Sequence, residues 1–121
     1  MIKKKILVIG DEPEMAELLK ERLELKGYEI AASYCGKEGL RKVTGERPDA
    51  VLLDVIMPDM DGFEVLRAIR KNPGTRYLPV IMLTAKADTG SIFKAQDLNV
   101  TDYIIKPFDL NELEKLIRLY V

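Results

Sequence analysis

Four short apolar runs constrain this chain more than any other feature: Ile6-Leu7-Val8-Ile9, Ala50-Val51-Leu52-Leu53, Val80-Ile81-Met82-Leu83 and Tyr103-Ile104-Ile105. Each is nearly continuous, not alternating. An alternating run suits a strand with one wet face; a continuous one suits a parallel strand covered on both faces. A weaker strand candidate, Glu29 to Ser33, lies between the first two runs.

Helical stretches fill the gaps. Pro13 to Lys26 carries Met15, Leu18, Leu19 and Leu23 at helical spacing, with Pro13 suited to the first turn and Gly27 to the stop. Gly36 to Thr44 is a shorter helix weakened by Gly39. Phe63 to Lys71 puts Phe63, Leu66 and Ile69 on one stripe before Asn72-Pro73-Gly74 ends it. Ser91 to Leu98 and Leu110 to Leu119 complete the set, and Asn99 suits a left-handed cap. Strand and helix thus alternate five times, which predicts an α/β fold with a five-stranded parallel sheet and helices on both faces.

Sheets of this kind bind ligands beyond the carboxyl ends of their strands. There the chain places Gly10-Asp11-Glu12, Asp54, Thr84-Ala85 and Lys106-Pro107. Any one acid after a strand is commonly a cap or turn former. Acids, a hydroxyl and a lysine at four strand ends point together to phosphoryl chemistry. Crowded carboxylates repel, and a hard divalent cation relieves the repulsion; Mg²⁺ takes one or two carboxylates, waters and a phosphoryl oxygen. A lysine neutralises a second phosphoryl oxygen and a hydroxyl bonds a third. A carboxylate that attacks phosphorus forms an acyl phosphate.

Composition removes competing chemistries. The 121 residues contain no histidine, which excludes Ser-His-Asp, Cys-His and His-metal sites, and the single cysteine, Cys35, makes no internal disulfide. Cys35 reads as a small packing residue. A formal net charge of −1 gives no general attraction to nucleic acid. Lys3-Lys4-Lys5 reads as a solvated strand entry. Ile6 to Ile9 is too short for a signal peptide, and no stretch approaches a membrane span, so a cytoplasmic protein is expected.

The segments Ile6-Leu7-Val8-Ile9-Gly10-Asp11-Glu12-Pro13, Asp54-Val55-Ile56-Met57-Pro58-Asp59-Met60-Asp61-Gly62, Leu83-Thr84-Ala85-Lys86 and Tyr103-Ile104-Ile105-Lys106-Pro107-Phe108 resemble the receiver family of two-component response regulators, chemotaxis regulators among them. The resemblance spans essentially the whole chain and implies one receiver domain over residues 1–121, flavodoxin-like, with strand order 2-1-3-4-5. It implies that Asp54 is the phospho-acceptor, that Asp11, Asp54 and the Ile56 carbonyl hold Mg²⁺, and that Lys106 supplies the cation before a cis Lys106-Pro107 bond. It implies further that Thr84 is the switch hydroxyl and Tyr103 the aromatic that turns inward when Thr84 moves, with Ala85 small where the phosphoryl group approaches. The implied partners are a sensor histidine kinase or phosphotransfer protein and a downstream protein, or a second copy, at the surface of the fourth helix, fifth strand and fifth helix. Such a domain catalyses its own phosphorylation and dephosphorylation without being a turnover enzyme. Met57 to Gly62 reads as a shaped loop and not a metal loop, with Gly62 permitting an unusual turn.

One position departs from the family pattern. Where two adjacent acids are usual after the first strand, this chain has Gly10 and then Asp11. Glu12 is not read as the replacement, since members with both acids often carry an acid there as well. Loss of an anion some 5 Å from a divalent ion costs about 1–2 kcal/mol at water-like dielectric, which implies weaker Mg²⁺ binding with phosphorylation retained. Gly10 also supports a rival reading, a pseudo-receiver that acts as a phosphorylation-independent interaction module. A flavodoxin-like small-ligand binder is a weaker rival, because the first loop lacks a glycine- or hydroxyl-rich phosphate cradle. A free-standing regulator and the receiver of a longer one both fit this pattern.

Overall fold

The computed structural model describes residues 3–85 and 89–121, residue 89 through its backbone only. Lys86, the last residue of the third family-like segment, lies outside the described residues. Five strands and five helices alternate: β1 (Lys5–Ile9), α1 (Pro13–Glu24), β2 (Glu29–Ser33), α2 (Gly36–Glu46), β3 (Ala50–Asp54), α3 (Gly62–Lys71), β4 (Val80–Thr84), α4 (Thr89–Asp97), β5 (Asp102–Ile105) and α5 (Leu110–Tyr120). The strands form one sheet in the order β2-β1-β3-β4-β5, and every adjacent pair is parallel. This is the flavodoxin-like arrangement that the run pattern and the resemblance imply.

The continuous apolar runs divide between two cores because successive strand side chains point to opposite faces. Leu7, Ile9, Val51, Leu53, Val80 and Met82 meet Val43 of α2, the α3 stripe of Phe63, Val65, Leu66 and Ile69, and Ala95 of α4. Ile6, Val8, Leu52, Ile81 and Leu83 meet Ala16, Leu19 and Leu23 of α1 and Leu113 and Ile117 of α5. Both faces of β1, β3 and β4 are therefore dry, which is why those runs contain no alternation.

Element boundaries differ from expectation at a few places, each with a local cause. Helix α1 ends at Glu24, two residues before Lys26, because Gly27 takes φ 95° and the Tyr28 and Gly27 amides donate to the Leu23 and Glu24 carbonyls. That pattern is a Schellman stop. Leu18, expected on the buried stripe, is 42% exposed. At 100° per residue the inward line runs through Ala16, Leu19 and Leu23, and Leu18 falls about 130° from its centre. Helix α2 runs on to Glu46 and closes with Arg47 at φ 50°. Asn99 takes φ 60°, as a left-handed cap should.

Two glycines act through close approach. A Cβ on Gly39 would lie 2.7 Å from Ile9 Cδ1, so α2 sits directly on β1 where a side chain would hold it off. Gly62 was expected to serve an unusual turn, yet among the described residues only Gly27 is a glycine with positive φ. Gly62 instead opens α3 against the chain that leaves β3: its amide donates to the Val55 carbonyl at 2.7 Å, and a Cβ there would collide with the Asp54 carbonyl oxygen.

These contacts separate two substitutions of one type. Gly62→Ala forces backbone apart and should lower unfolding free energy by about 1–3 kcal/mol. Gly45→Ala in α2 meets nothing within 4 Å and should raise it by up to about 1 kcal/mol. Urea denaturation of both variants checks the pair; equal effects would contradict the contact argument.

Candidate functional site

Parallel pairing brings the carboxyl ends of β1, β3, β4 and β5 to one edge of the sheet. An open cavity of about 590 Å³ lies there, lined by Asp11, Glu12, Asp54, Val55, Ile56, Thr84, Ala85, Ser91 and Lys106. The site residues expected from sequence thus line one cavity, except Tyr103, which lies behind it. Asp54 closes β3 and Thr84 closes β4, and each is only 7% exposed. Asp11 and Glu12 stand exposed in the loop before α1. Ile56 is 71% exposed on the loop after β3.

Lys106 ties these ends together. Its amide donates to the Thr84 carbonyl at 2.6 Å, continuing the β4–β5 pairing. Its Nζ donates to both oxygens of Asp54, at 2.8 and 2.9 Å, and to Glu12 Oε1 at 3.1 Å. The Lys106-Pro107 bond is cis, as expected. The Val55 amide gives Asp54 Oδ1 a further bond at 3.0 Å.

The electrostatics of the pair are unequal. Burial pushes the Asp54 carboxyl above the ordinary aspartate range, and its bond and attraction to Lys106 pull it only part of the way back, with Glu12 adding a like charge. Burial also disfavours the Lys106 ammonium, yet its bonds to Asp54 and Glu12 outweigh that and raise its pKa. A carboxyl raised in this way stabilises the fold below its unfolded pKa and loses that contribution as pH rises through the folded one. At neutral pH the ionised Asp54 is therefore held at a cost to stability, a common mark of functional groups.

The loop after β3 is held by its acids. Asp59 accepts from the Gly36 and Lys37 amides at 2.8 and 2.9 Å and so caps α2 from outside. Asp61 caps α3 through the Glu64 amide at 2.9 Å. Among the described residues, the one group of acids placed to share a metal ion is Asp11, Glu12 and Asp54, whose carboxylate oxygens lie within 4.8 Å of one another. Three carboxylates against the Lys106 ammonium leave excess negative charge, and hard oxygen donors of this kind suit Mg²⁺.

Thr84 also borders a second, apolar cavity of about 10 Å³, shared with Val55, Phe63, Met82, Ser91, Ile92, Ala95 and Tyr103. Tyr103 is half-buried at its wall. Sequence reasoning missed two residues here. Ser91, from the first turn of α4, lines both cavities; nothing in its neighbours in sequence signals this. Glu12 was set aside, although its position directly after Asp11 is the signal that could have kept it in view. Cys35 does not line the site cavity; it sits before α2.

The description "Response regulator receiver domain" matches residues 6–118. This chain belongs to the response regulator receiver family. Receiver relatives include Response regulator ArlR of Staphylococcus saprophyticus, 40% identical over 114 residues that cover 94% of this chain and 50% of the relative. DNA-binding response regulator MtrA of Mycolicibacterium smegmatis is 38% identical over 117 residues, 97% of this chain and 50% of its own. The receiver thus spans about half the length of these curated relatives. Among solved structures, chemotaxis protein CheY4 of Vibrio cholerae aligns with TM-score 0.94 and 28% identity over 99% of this chain and 100% of that one. The receiver domain of a Syntrophus aciditrophicus histidine kinase aligns with TM-score 0.90 and 33% identity, over 97% and 89%. Among the described residues of this receiver, no helix is long and apolar enough to cross a membrane.

Two carboxyls of the receiver should titrate in opposite directions. Asp54 is raised by burial, whereas Asp59 is lowered by its bonds from the Lys37 and Gly36 amides. Carboxyl-carbon NMR should place Asp54 above and Asp59 below the ordinary value of about 3.9. Asp59, being lowered, adds stability above its unfolded pKa that is lost as pH falls through the folded one. Asp59→Ala should therefore destabilise at pH 7 and cost progressively less in strong acid; a loss independent of pH would contradict the cap.

Proposed function

We propose that the chain, as one receiver domain over residues 1–121, accepts a phosphoryl group on Asp54 from a phosphohistidine of a sensor histidine kinase or phosphotransfer protein. The observation that carries this reading is the Lys106 ammonium on both oxygens of Asp54, at the sheet edge and beside Asp11. The donor histidine is external, because this chain has none.

In the transfer, an Asp54 carboxylate oxygen attacks phosphorus in line, a P–O bond forms and the P–N bond to the donor imidazole breaks. The imidazole leaves as the neutral base after taking up a proton. Lys106 positions the carboxylate beforehand and bonds a phosphoryl oxygen afterwards. Mg²⁺, held by Asp11, Asp54 and the Ile56 carbonyl, would supply charge neutralisation at the phosphoryl oxygens. Water later attacks phosphorus and releases inorganic phosphate, restoring the Asp54 carboxylate. The protein is both substrate and catalyst.

The signal leaves through Thr84 and Tyr103. The small apolar cavity between Thr84 and Tyr103 supports this route: as Thr84 moves toward the phosphoryl group, Tyr103 turns inward behind it. That motion reshapes α4, β5 and α5, where a downstream protein or a second copy would dock; Phe93, Ile105 and Leu119 are exposed on these elements. DNA binding is named for MtrA, which is twice this chain's length. A net charge of −1 favours a protein over nucleic acid as the direct partner of this chain, and a cytoplasmic location is part of the same proposal.

Gly10 favours one second reading, a pseudo-receiver that binds partners without phosphorylation. Incubation with acetyl phosphate and Mg²⁺, read by intact mass, separates the two. The proposal expects one phosphoryl group on the wild type, none on Asp54→Ala, and uptake on Thr84→Ala with partner response lost. A wild type that takes up none supports the pseudo-receiver.

A further inference from the structure

The receiver pattern places an acid where this chain has Gly10, and the chain offers no side chain there. A Cβ on Gly10 would lie 3.2 Å from both Cβ and Oδ2 of Asp54. That spacing is tighter than ordinary van der Waals contact, so the acceptor carboxylate already leans into the space that a residue 10 side chain would need. The Gly10 amide remains fixed on the Ser33 carbonyl at 3.0 Å.

Glu12 behaves differently from an ordinary acid at a helix entrance. It is the N-cap residue of α1, with φ −106° and ψ 94°, yet its side chain makes no capping bond. An N-cap carboxylate ordinarily accepts from the second or third helical amide. Here it turns the other way, into the site, where Oε1 meets Lys106 Nζ at 3.1 Å. Its carboxylate oxygen joins those of Asp11 and Asp54 within 4.8 Å.

Resting on the function proposed above, we propose that Glu12 supplies the cation site with the second carboxylate charge that Gly10 leaves out. The charge count supports this. Asp11 and Asp54 against Lys106 leave one net negative charge in the cavity; with Glu12 there are two, the number that a divalent ion balances. Glu12 also reaches the site from the solvent side, as its side-chain exposure of 56% requires, so it can follow an incoming ion without moving the sheet. The weakened Mg²⁺ site implied by Gly10 alone is thus offset by the residue two positions later.

The test is a Mg²⁺ titration followed by amide NMR on the wild type, Glu12→Gln and Glu17→Gln. Glu17 is exposed on α1 outside the cavity and makes the same change in net charge. Glu12→Gln should bind Mg²⁺ about tenfold more weakly, the effect of one charge about 5 Å from a divalent ion at water-like dielectric. Glu17→Gln should stay within twofold of the wild type. Glu12→Gln within twofold of wild type, or an equal loss in Glu17→Gln, would overturn the assignment while leaving the receiver reading intact. A wild type whose amides do not respond to Mg²⁺ would overturn that reading, and the assignment with it.

Discussion

The ammonium of Lys106 spans two strands that are not neighbours. It leaves the end of β5 and reaches Asp54 at the end of β3, across β4, whose terminal Thr84 carbonyl holds the Lys106 amide. The contact exists only because all five strands run the same way and end on one edge. It also defines the site's electrostatics. Asp54 is closed off from water on the sheet side, and without a cation its ionised form would carry the full penalty of burial. Lys106 lowers that penalty without cancelling it, so the Asp54 carboxyl stays above the ordinary aspartate range.

Around this pair, the rest of the fold serves to hold loops. The segment after β3 is pinned at both ends: Asp59 bonds the start of α2, and Gly62 lets α3 begin against the Asp54 backbone. The carbonyl of Ile56 therefore sits on a loop whose position is set by two helices. On the other side, the first loop is short and opens directly into α1 through Pro13. Its acids are exposed and able to adjust, while Asp54 is buried. A buried Asp54 with a compliant charge shell is the division of labour that the proposed phosphoryl transfer needs, since positioning and charge neutralisation supply most of such catalysis.

Much of this was legible in the sequence, for identifiable reasons. Strands buried on both faces leave continuous runs, and those runs located β1, β3 and β4; β5 is an edge strand with Ile105 exposed, yet its apolar run still placed it, and with it the edge where Asp11, Asp54, Thr84 and Lys106 meet. The weaker β2 was also placed correctly, from Glu29 to Ser33. What the sequence hid depends on distances in space. The burial of Leu18 turned on a fraction of a helical turn. Gly62 looked like a turn former, but its reason is the Asp54 carbonyl oxygen behind it. Asp59 looked like a loop acid, and its partners lie 22 and 23 residues away. Glu12 sits where two-acid receivers often carry an acid as well, and its direction, toward Lys106 and away from the helix amides, is not written in the sequence. Ser91 reaches the cavity because of where α4 begins, which no local motif encodes.

The central claim is that residues from four separate strand ends form one phosphoryl site. Amide chemical shifts recorded on adding Mg²⁺ together with beryllofluoride, a phosphoryl mimic, test it most directly. The account predicts coincident changes at residues 10–12, 54–57, 84–85 and 106, saturating at the same ligand concentration and spreading to Tyr103. Changes confined to one loop, or saturating separately at different loops, would contradict it.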